Sequence, residues 1–354
     1  MAAAIARIDP DARFEGIGAA ALREAGFTLW LDHTGWASMG PVAAIPRIPK
    51  LLAAMLRTAA HLRETKPDLV VLVDFGVFNL RLASRLRQLA YPGPILDLFP
   101  PGTWLDDEQK ARRVSDLTYP VTAFAHQYEF YRSIGCRIAY FGHPLAGRYA
   151  MRARRAAPEA DGGTVALLPG SRSGELRRHL PVLAAAFRLL AQRRPRLRGI
   201  FGAADARAER AILQTIASER LENVRVARGV GEALAQADAA WVASGTAVLE
   251  TALGGVPAVA LYVIPPMLIR YGRRMIKHRY ITLPNLILGR EVVPELLQDA
   301  ATPQALADAI EALMNDPSVQ YGQFERLREA LGSEDALDRC AAFAVELARA
   351  GGTA

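Results

Sequence analysis

Two glycine-containing turns in the second half of the chain carry residue types that bind anions. The first lies in Leu167-Leu-Pro-Gly-Ser-Arg172-Ser-Gly-Glu175, where an apolar run ends and a helical pattern begins. Backbone N–H groups at a helix start attract anions, and an arginine adds a permanent charge with a two-pronged donor. Gly170, Ser171 and Arg172 can therefore hold a diphosphate. The alternative is an ordinary capped helix start beside an exposed arginine.

The second turn lies in Ala243-Ser-Gly-Thr-Ala-Val-Leu-Glu250 and repeats this arrangement. Ser244, Gly245 and Thr246 offer donors to a phosphate or a sugar, and the carboxylate of Glu250 can accept hydrogen bonds from ribose hydroxyls. In the alternative, Ser244 or Thr246 merely caps the helix. We favour a ligand role, because two such turns in one domain could converge on one nucleotide.

A carboxylate in the first half is the candidate for acid–base chemistry. Asp74 ends the apolar run 69–73 and could act as a general base on a sugar hydroxyl. Its alternative role is to cap the following helix or to bond loop amides. His126 and His143 are lesser candidates for the base, and His143 before a proline is typical of a rigid turn.

A buried amide is the last single candidate. Asn285 follows Pro284 in an otherwise apolar run, and Val293-Pro-Glu295-Leu-Leu-Gln298 comes shortly after it. An amide in such surroundings needs partners. Those partners are either a backbone turn or a ligand.

These residues require a scaffold of alternating strands and helices. Apolar runs typical of buried strands occur at 69–73, 165–168, 198–201, 224–227, 239–243 and 258–263, with helical patterns between them. Pro181 is typical of the first residue of a helix. The alternation predicts an α/β fold with parallel sheets and helices on both faces. Ligands in such sheets bind at the carboxyl ends of the strands.

A polar stretch with Gly and Pro at 150–163 is the best candidate for a linker. It predicts an N-terminal domain over 1–150 and a C-terminal domain over 151–354. Each is expected to be a doubly wound, Rossmann-like domain, and the two are expected to face a cleft. The final helix can pack back on the first domain.

Composition limits the class of protein. The 354 residues suit two domains, and 51% hydrophobic with 22% charged residues is typical of a folded protein. The formal net charge of +7 indicates an anionic partner, but without zinc-ligand spacing or an aromatic-basic array we do not expect nucleic acid. The two cysteines fit a reducing cytoplasm. We expect neither a secretory signal nor a membrane span.

Two further segments mix apolar and basic residues. Residues 39–56 include Arg47 and Lys50 among apolar side chains, and 267–280 carries a run of arginines. The first could lie in a membrane interface or hold an acyl chain. For both segments, a core-facing helix with a solvated charged face is the alternative.

Taken together, the motifs resemble those of lipid-A-disaccharide synthases. The resemblance rests on Leu167–Arg172, Ala243–Glu250, Leu283–Asn285 with Val293–Gln298, and Phe141-Gly-His-Pro-Leu145. It extends more loosely to Lys66-Pro-Asp68, Val73-Asp74 and Phe78-Asn79, and so covers nearly the whole chain.

The resemblance implies a GT-B fold and a hexosyltransferase of lipid A biosynthesis, the route to outer-membrane lipopolysaccharide. The donor would be UDP-2,3-diacylglucosamine and the acceptor 2,3-diacylglucosamine 1-phosphate (lipid X), with no metal or other cofactor. Asp74 would be the general base and Arg172 would meet the donor diphosphate. The nucleotide side would be lined by Gly170, Ser171, Ser244, Gly245, Thr246, Glu250, Asn285 and Gln298. The protein would be cytoplasmic, held peripherally on the inner membrane by the segment after Met39.

Departures from the family pattern lie in the first domain. Family members begin with a strand and a Gly-Glu-x-Ser-Gly-Asp turn, whereas residues 1–7 align within the helix that follows. We therefore expect exposed apolar neighbours of a missing strand, and a start codon assigned too late would explain it. Val77 replaces a second acid, and Pro100–Asp107 lacks a tryptophan and a basic residue. The alternatives are a related GT-B protein with a different acceptor, a UDP-sugar epimerase-like enzyme, and a non-catalytic nucleotide-sugar-binding protein.

Overall fold

The computed structural model describes residues 1–18, 20–32, 48–100, 107–149, 157–265 and 279–351. The strands in this part of the chain are β1 (Glu15–Gly18), β2 (Thr28–Asp32), β3 (Val70–Val73), β4 (Ile95–Leu98), β5 (Tyr119–Thr122), β6 (Ala139–Tyr140), β7 (Gly162–Leu168), β8 (Arg196–Ala203), β9 (Val224–Arg228), β10 (Ala239–Ala243), β11 (Ala258–Tyr262) and β12 (Glu295–Leu297).

Helices alternate with these strands. They are α1 (Ala2–Ile8), α2 (Ala20–Glu24), α3 (Ile48–Thr65), α4 (Gly76–Gln88), α5 (Glu108–Leu117), α6 (Ala125–Ser133), α7 (Ser173–Arg193), α8 (Ala206–Ser218), α9 (Gly229–Ala235), α10 (Thr246–Leu253), α11 (Leu283–Leu288), α12 (Pro303–Asn315), α13 (Ser318–Ala330) and α14 (Ala336–Gly351).

The predicted α/β class is confirmed. Each apolar run that the sequence assigned to a strand forms one, and all the strand pairs of the described chain are parallel. The prediction for Pro181 is wrong, because this residue lies in the middle of α7. Pro181 and Arg177, whose carbonyl loses its helical partner, are both exposed, so the missing hydrogen bond falls on the solvent side.

Contacts divide the chain into two compact units. The first comprises Met1–Gly147 and Leu331–Ala354, and the second comprises Arg148–Ala330. The residues of α14 therefore belong with the N-terminal part of the chain. Of the predicted linker, residues 150–156 lie outside the described chain.

The first unit contains a four-stranded sheet, β3-β4-β5-β6, and a separate pair, β1-β2. One face of the larger sheet packs Leu72 and Ile95 against Leu82 and Leu86 of α4. On the other face, Leu96, Leu98 and Val121 pack against Cys340 and Ala344 of α14. Helices thus cover both faces, as a parallel sheet requires.

The edge strand β3 leaves apolar side chains in solvent. Val71 is 37% exposed and Val73 is 57% exposed, although residues in parallel strands are normally buried on both faces. Both valines belong to the strand that begins the four-stranded sheet.

The second unit contains one six-stranded sheet in the order β12-β11-β10-β7-β8-β9. Its core includes Trp241, Phe187 and Phe201, which are almost completely buried. From β7 the chain proceeds to β8 and β9 on one side, and from β10 to β11 and β12 on the other. The direction of winding therefore changes between β7 and β10.

Several predicted features fall outside the described residues. These are residues 39–47 of the first apolar-basic segment, 101–106 of the Pro100–Asp107 motif and 267–278 of the second basic patch. Among the helices that the structure describes, none is long and apolar enough to cross a membrane.

Candidate functional site

The two predicted turns leave the sheet side by side. Strands β7 and β10 are paired neighbours, and Leu168 at the end of β7 lies opposite Val242. The turns that follow, 169–172 and 244–246, therefore lie at the same edge, where the winding direction changes. This is the position at which doubly wound sheets bind ligands, in the crevice outside the carboxyl ends of the strands.

The first turn is organised by Glu175, whose role the sequence did not reveal. Its buried carboxylate accepts hydrogen bonds from the backbone N–H groups of Ser171 and Arg172, both at 3.2 Å. Gly170 has a φ of +98°, and a Cβ there would lie 2.5 Å from Oε2 of Glu175. This corrects the prediction that the turn N–H groups face an anion, because two of them bind Glu175 instead.

The positive charge at this turn remains accessible. Arg172 donates from Nη1 to Oε1 of Glu175 at 2.7 Å, yet its side chain is 58% exposed. A second arginine, which sequence reasoning missed, lies at the same place: Arg207 donates to the carbonyl of Ser171 and to Oγ of Ser173, both at 2.8 Å. Two guanidinium groups on one turn favour an anionic ligand such as a diphosphate.

A buried histidine fixes the turn to the neighbouring part of the sheet. Nδ1 of His179 contacts the carbonyl of Pro169 at 2.8 Å, and Nε2 accepts from the N–H of Val263 at 3.0 Å. These contacts assign the proton to Nδ1. Burial lowers the pKa of His179, so its ring is a neutral support rather than a charged group.

The second turn starts α10 without a side-chain cap. The alternative in which Ser244 or Thr246 merely caps this helix is therefore not realised. Ser244 uses its backbone N–H, which donates to the carbonyl of Leu261 at 2.9 Å. Gly245 and Thr246 are exposed, and Ser244 is half-buried. An uncapped helix start with two hydroxyls beside it can receive phosphate or sugar oxygens.

Glu250 lies four residues into α10 and is half-buried. Its Oε2 accepts a hydrogen bond from the phenol of Tyr149. These two residues are separated by 101 positions, so no local pattern connects them.

In the first unit, Asp74 occupies a strained turn at the carboxyl end of β3. Asp74 and Phe75 have φ of +49° and +41°, a left-handed conformation that costs energy for residues with side chains. The amide of Asn79 donates to the carbonyls of Asp74, at 2.5 Å, and Val73, at 3.3 Å. Asp74 is exposed and does not cap α4, whose N-cap is Phe75.

A second carboxyl group, which sequence reasoning missed, lies near Asp74. Asp97 on β4 faces Leu72 in the sheet register, two residues before Asp74. It is 4% exposed, and its Oδ1 has no hydrogen-bond partner in the described chain. Burial, with a smaller effect of the charge of Asp74, raises the pKa of Asp97 to about 7.

The two histidine candidates do not gain support as bases. His143 is buried, its Nδ1 accepts from the N–H of Leu145 at 3.2 Å, and burial lowers its pKa to about 4. It forms the rigid turn that the sequence suggested. His126 is an exposed residue of the first turn of α6.

Comparison with known proteins identifies the family. A family model described as lipid-A-disaccharide synthetase matches residues 3–342. Lipid-A-disaccharide synthases from Syntrophus aciditrophicus and Azotobacter vinelandii are 33% and 35% identical to the chain, each over 98% of the chain and 93% of the relative. The Pseudomonas aeruginosa synthase is 34% identical over 96% of the chain and 91% of its own length. The chain belongs to the lipid-A-disaccharide synthase family.

Solved structures agree with the fold of this glycosyltransferase family. The S. aureus MnaA–UDP co-structure has a TM-score of 0.57 at 11% identity, covering 90% of this chain and 82% of that one. The Neisseria meningitidis UDP-GlcNAc 2-epimerase bound to UDP-GlcNAc has a TM-score of 0.58 at 12% identity, covering 90% and 85%. At these identities the likeness shows the fold alone, and it confirms the predicted GT-B fold. The predicted enzyme class, a hexosyltransferase, is confirmed by the family match and the curated relatives.

The family motif around Asn285 is a structural unit. Asn285 is completely buried, and its Oδ1 accepts from the N–H groups of Val292 and Val293 at 2.7 and 2.9 Å. Its Nδ2 donates to the carbonyl of Val293 and to Glu295, both at 2.8 Å. The backbone-turn alternative is therefore realised, and the amide of Asn285 is occupied by contacts within this motif.

Gln298 follows the motif of Asn285 and Glu295 directly after β12. It follows β12 in a left-handed conformation with φ of +54°, and its Oε1 accepts from the N–H of Ile264 at 3.2 Å. The described residues hold no group of three or more His, Cys, Asp or Glu side chains that could bind a metal ion.

Proposed function

We propose that the chain transfers 2,3-diacylglucosamine from its UDP derivative to lipid X, forming the lipid A disaccharide 1-phosphate and UDP. The observation that carries this proposal is the pair of turns at the point where the winding of the second sheet changes. One turn presents Arg172 and Arg207, and the other presents an uncapped helix start. Family membership supplies the expected sugar donor.

On the donor side, Arg172 meets the diphosphate. Its guanidinium is held by Glu175 but remains accessible, so it can bind two phosphate oxygens without first being ordered. Ser244, Gly245 and Thr246 bind phosphate or sugar oxygens, and Glu250 accepts from the ribose hydroxyls. As the sugar leaves, negative charge grows on UDP, and Arg172 stabilises it.

On the acceptor side, Asp74 is the general base. Its carboxylate removes the proton from the 6-hydroxyl of lipid X, and that oxygen forms a bond to C1 of the donor glucosamine. The bond from C1 to the diphosphate breaks, its electron pair goes to UDP, and the proton remains on Asp74. The strained turn held by Asn79 fits a residue fixed for catalysis rather than for stability.

Helix α3 supports association with the cytoplasmic face of the inner membrane. Ile48, Leu52 and Leu56 are 51%, 51% and 46% exposed and lie four residues apart, on one face of the helix. Lys50 and Arg57 are exposed on the same helix, where they can meet anionic headgroups. A helix with an exposed apolar face and with basic residues on its other side is suited to a substrate whose acyl chains lie in a membrane.

The experiment that tests this function compares Asp74→Asn with the unchanged protein. Turnover of UDP-2,3-diacylglucosamine with lipid X should fall at least a hundredfold, while UDP affinity stays within about twofold. Asp116→Asn, at an exposed aspartate of α5, is the matched control and should keep full activity. Equal activity of Asp74→Asn would remove Asp74 as the base. UDP binding without turnover in the unchanged protein would favour the non-catalytic alternative.

The alternative of a different acceptor can be tested, and Val77 is the reason to test it. This exposed valine stands where the family pattern has a second acid. If acylated acceptors other than lipid X turn over faster in the same assay, the acceptor in our proposal is wrong although the donor is right.

A further inference from the structure

Tyr149 forms a contact that the proposed mechanism does not use. Its phenol donates to Oε2 of Glu250, the carboxylate on the expected nucleotide side. Burial, and then the bond to Glu250, raises the pKa of Tyr149 to about 12. The phenol therefore remains a donor at neutral pH, and the carboxylate is its acceptor.

The backbone of Tyr149 is fixed to the same helix. Nη2 of Arg328, on α13, donates to the carbonyl of Tyr149 at 2.6 Å and to the carbonyl of Leu253 at 2.8 Å. Leu253 is the last residue of α10, which also carries Glu250. Tyr149 is thus attached to α10 at two points, through its side chain and through its main chain.

We infer that Tyr149 is a positioning residue which orients Glu250 toward the ribose and thereby makes the donor site selective for ribonucleotides. The phenol binds Oε2, and a carboxylate has acceptor capacity on both oxygens, so Oε1 can receive a ribose hydroxyl. A side chain already held in its binding conformation loses less entropy when the ligand arrives. The inference rests on the proposed role of Glu250 at the ribose.

The contact between Tyr149 and Glu250 predicts which ligands should bind more weakly when it is removed. A nucleotide with ribose hydroxyls uses the oriented carboxylate, whereas a dideoxynucleotide does not. Removing the phenol should therefore weaken the first and leave the second unchanged. A tyrosine that only stabilised the fold would affect both nucleotides equally.

The test measures binding of UDP and of 2′,3′-dideoxyuridine 5′-diphosphate by calorimetry to four forms of the whole protein: unchanged, Tyr149→Phe, Glu250→Gln and the double variant. Phenylalanine keeps the ring and its packing. Tyr140→Phe is the matched control, because it removes a phenol that bonds the carbonyl of Leu331 in the first unit.

We expect Tyr149→Phe to weaken UDP about three- to tenfold, the size of one lost hydrogen bond, and to leave the dideoxynucleotide within about twofold. Glu250→Gln should weaken UDP at least as much, and the double variant should add little to it. Tyr140→Phe should change neither affinity.

Two outcomes overturn the inference, and they are distinguishable. If Glu250→Gln leaves UDP affinity unchanged, the ribose role of Glu250 fails, and the inference fails with it. If Glu250→Gln weakens UDP but Tyr149→Phe has no effect, or weakens both nucleotides equally, the proposed role of Glu250 survives and only that of Tyr149 is wrong.

Discussion

The completely buried Asn285 and the half-buried Glu295 form a hydrogen-bonded pair, with Nδ2 of Asn285 donating to Oε1 of Glu295 at 2.8 Å. The same carboxylate accepts from the N–H groups of Ile281 and Thr282, at 3.0 and 2.9 Å, just before α11. Two motifs that are separate in the sequence are therefore one hydrogen-bonded unit. This hydrogen-bonded unit connects α11 to β12, which is followed by Gln298.

Loss of this pair should destabilise the second unit. Asn285→Ala leaves the buried N–H groups of Val292 and Val293, and the half-buried carboxylate of Glu295, with one partner fewer. We expect the free energy of unfolding in urea to fall by about 2–4 kcal/mol. The role would instead be ligand binding if unfolding were unchanged and UDP affinity were lost.

The charge of Arg172 should matter for UDP and not for folding. Arg172→Ala should weaken UDP by about ten- to a hundredfold, since it removes a charge-assisted contact to the diphosphate, while uridine affinity changes little. Arg188→Ala is the control, at an arginine of α7, the helix that follows Arg172. Its side chain is 52% exposed, it pairs with Glu219 at 3.1 Å, and we expect no effect on either ligand. Similar losses for UDP and uridine would show that Arg172 shapes the turn rather than binding phosphate.

Asp97 should make stability depend on pH. Its pKa is raised from 3.8 to about 7, so between these values the folded protein holds a proton that the unfolded chain has lost. The free energy of unfolding therefore falls as pH rises through this window, by up to ~1.4 kcal/mol per pH unit. Asp97→Asn removes this dependence and should be more stable than the unchanged protein at pH 8 by about 1–3 kcal/mol. At pH 4 this gain should disappear.

Asp97→Asn must be compared with the unchanged protein at each pH, because His143 makes the free energy of unfolding change with pH in the opposite direction. Its pKa is lowered from 6.5 to about 4, so its stabilising effect is complete above 6.5 and is lost as pH falls toward 4. In the unchanged protein the two dependences partly cancel. A stability difference between Asp97→Asn and the unchanged protein that is the same at pH 4 and pH 8 would contradict burial of an ionisable Asp97.

The exposed face of α3 should determine membrane binding. Leu52→Glu should reduce co-sedimentation with vesicles containing anionic phospholipid at least fivefold, because it places a charge in the apolar stripe. Leu213→Glu, at a leucine of α8 that is 50% exposed, is the matched control. Equal binding by both variants, at the level of the unchanged protein, would exclude this face.

Much of the fold followed from local patterns. The apolar run 239–243 forms a strand that is buried throughout, as expected for a parallel strand covered on both faces. Strand–helix alternation favours parallel pairing. The two turns could be located because a strand end and a helix start are both local signals. Pro181 was misplaced because its preference for a helix start is outweighed by the packing of the continuous helix around it.

The partners of the site residues could not be predicted in the same way. The N–H groups of Ser171 and Arg172 donate to Glu175. The sequence pattern of a helix start is the same whether such N–H groups bind a side chain or a ligand. The hydrogen-bond partners of Asn285 could be identified only from the structure, which shows that this residue is completely buried. The burial of Asp97 beside Leu72 likewise became known only from the sheet register. The contact of Tyr149 with Glu250 joins residues 101 positions apart, and no pattern reports such a distance.

The most direct test of the central claim is the product formed from UDP-2,3-diacylglucosamine and lipid X, identified by mass spectrometry and by its glycosidic linkage. The proposed function predicts a β-1,6-linked tetraacyl disaccharide 1-phosphate, with UDP released in equal amount and no added metal. UDP release without this disaccharide, or no consumption of the donor at all, would contradict it.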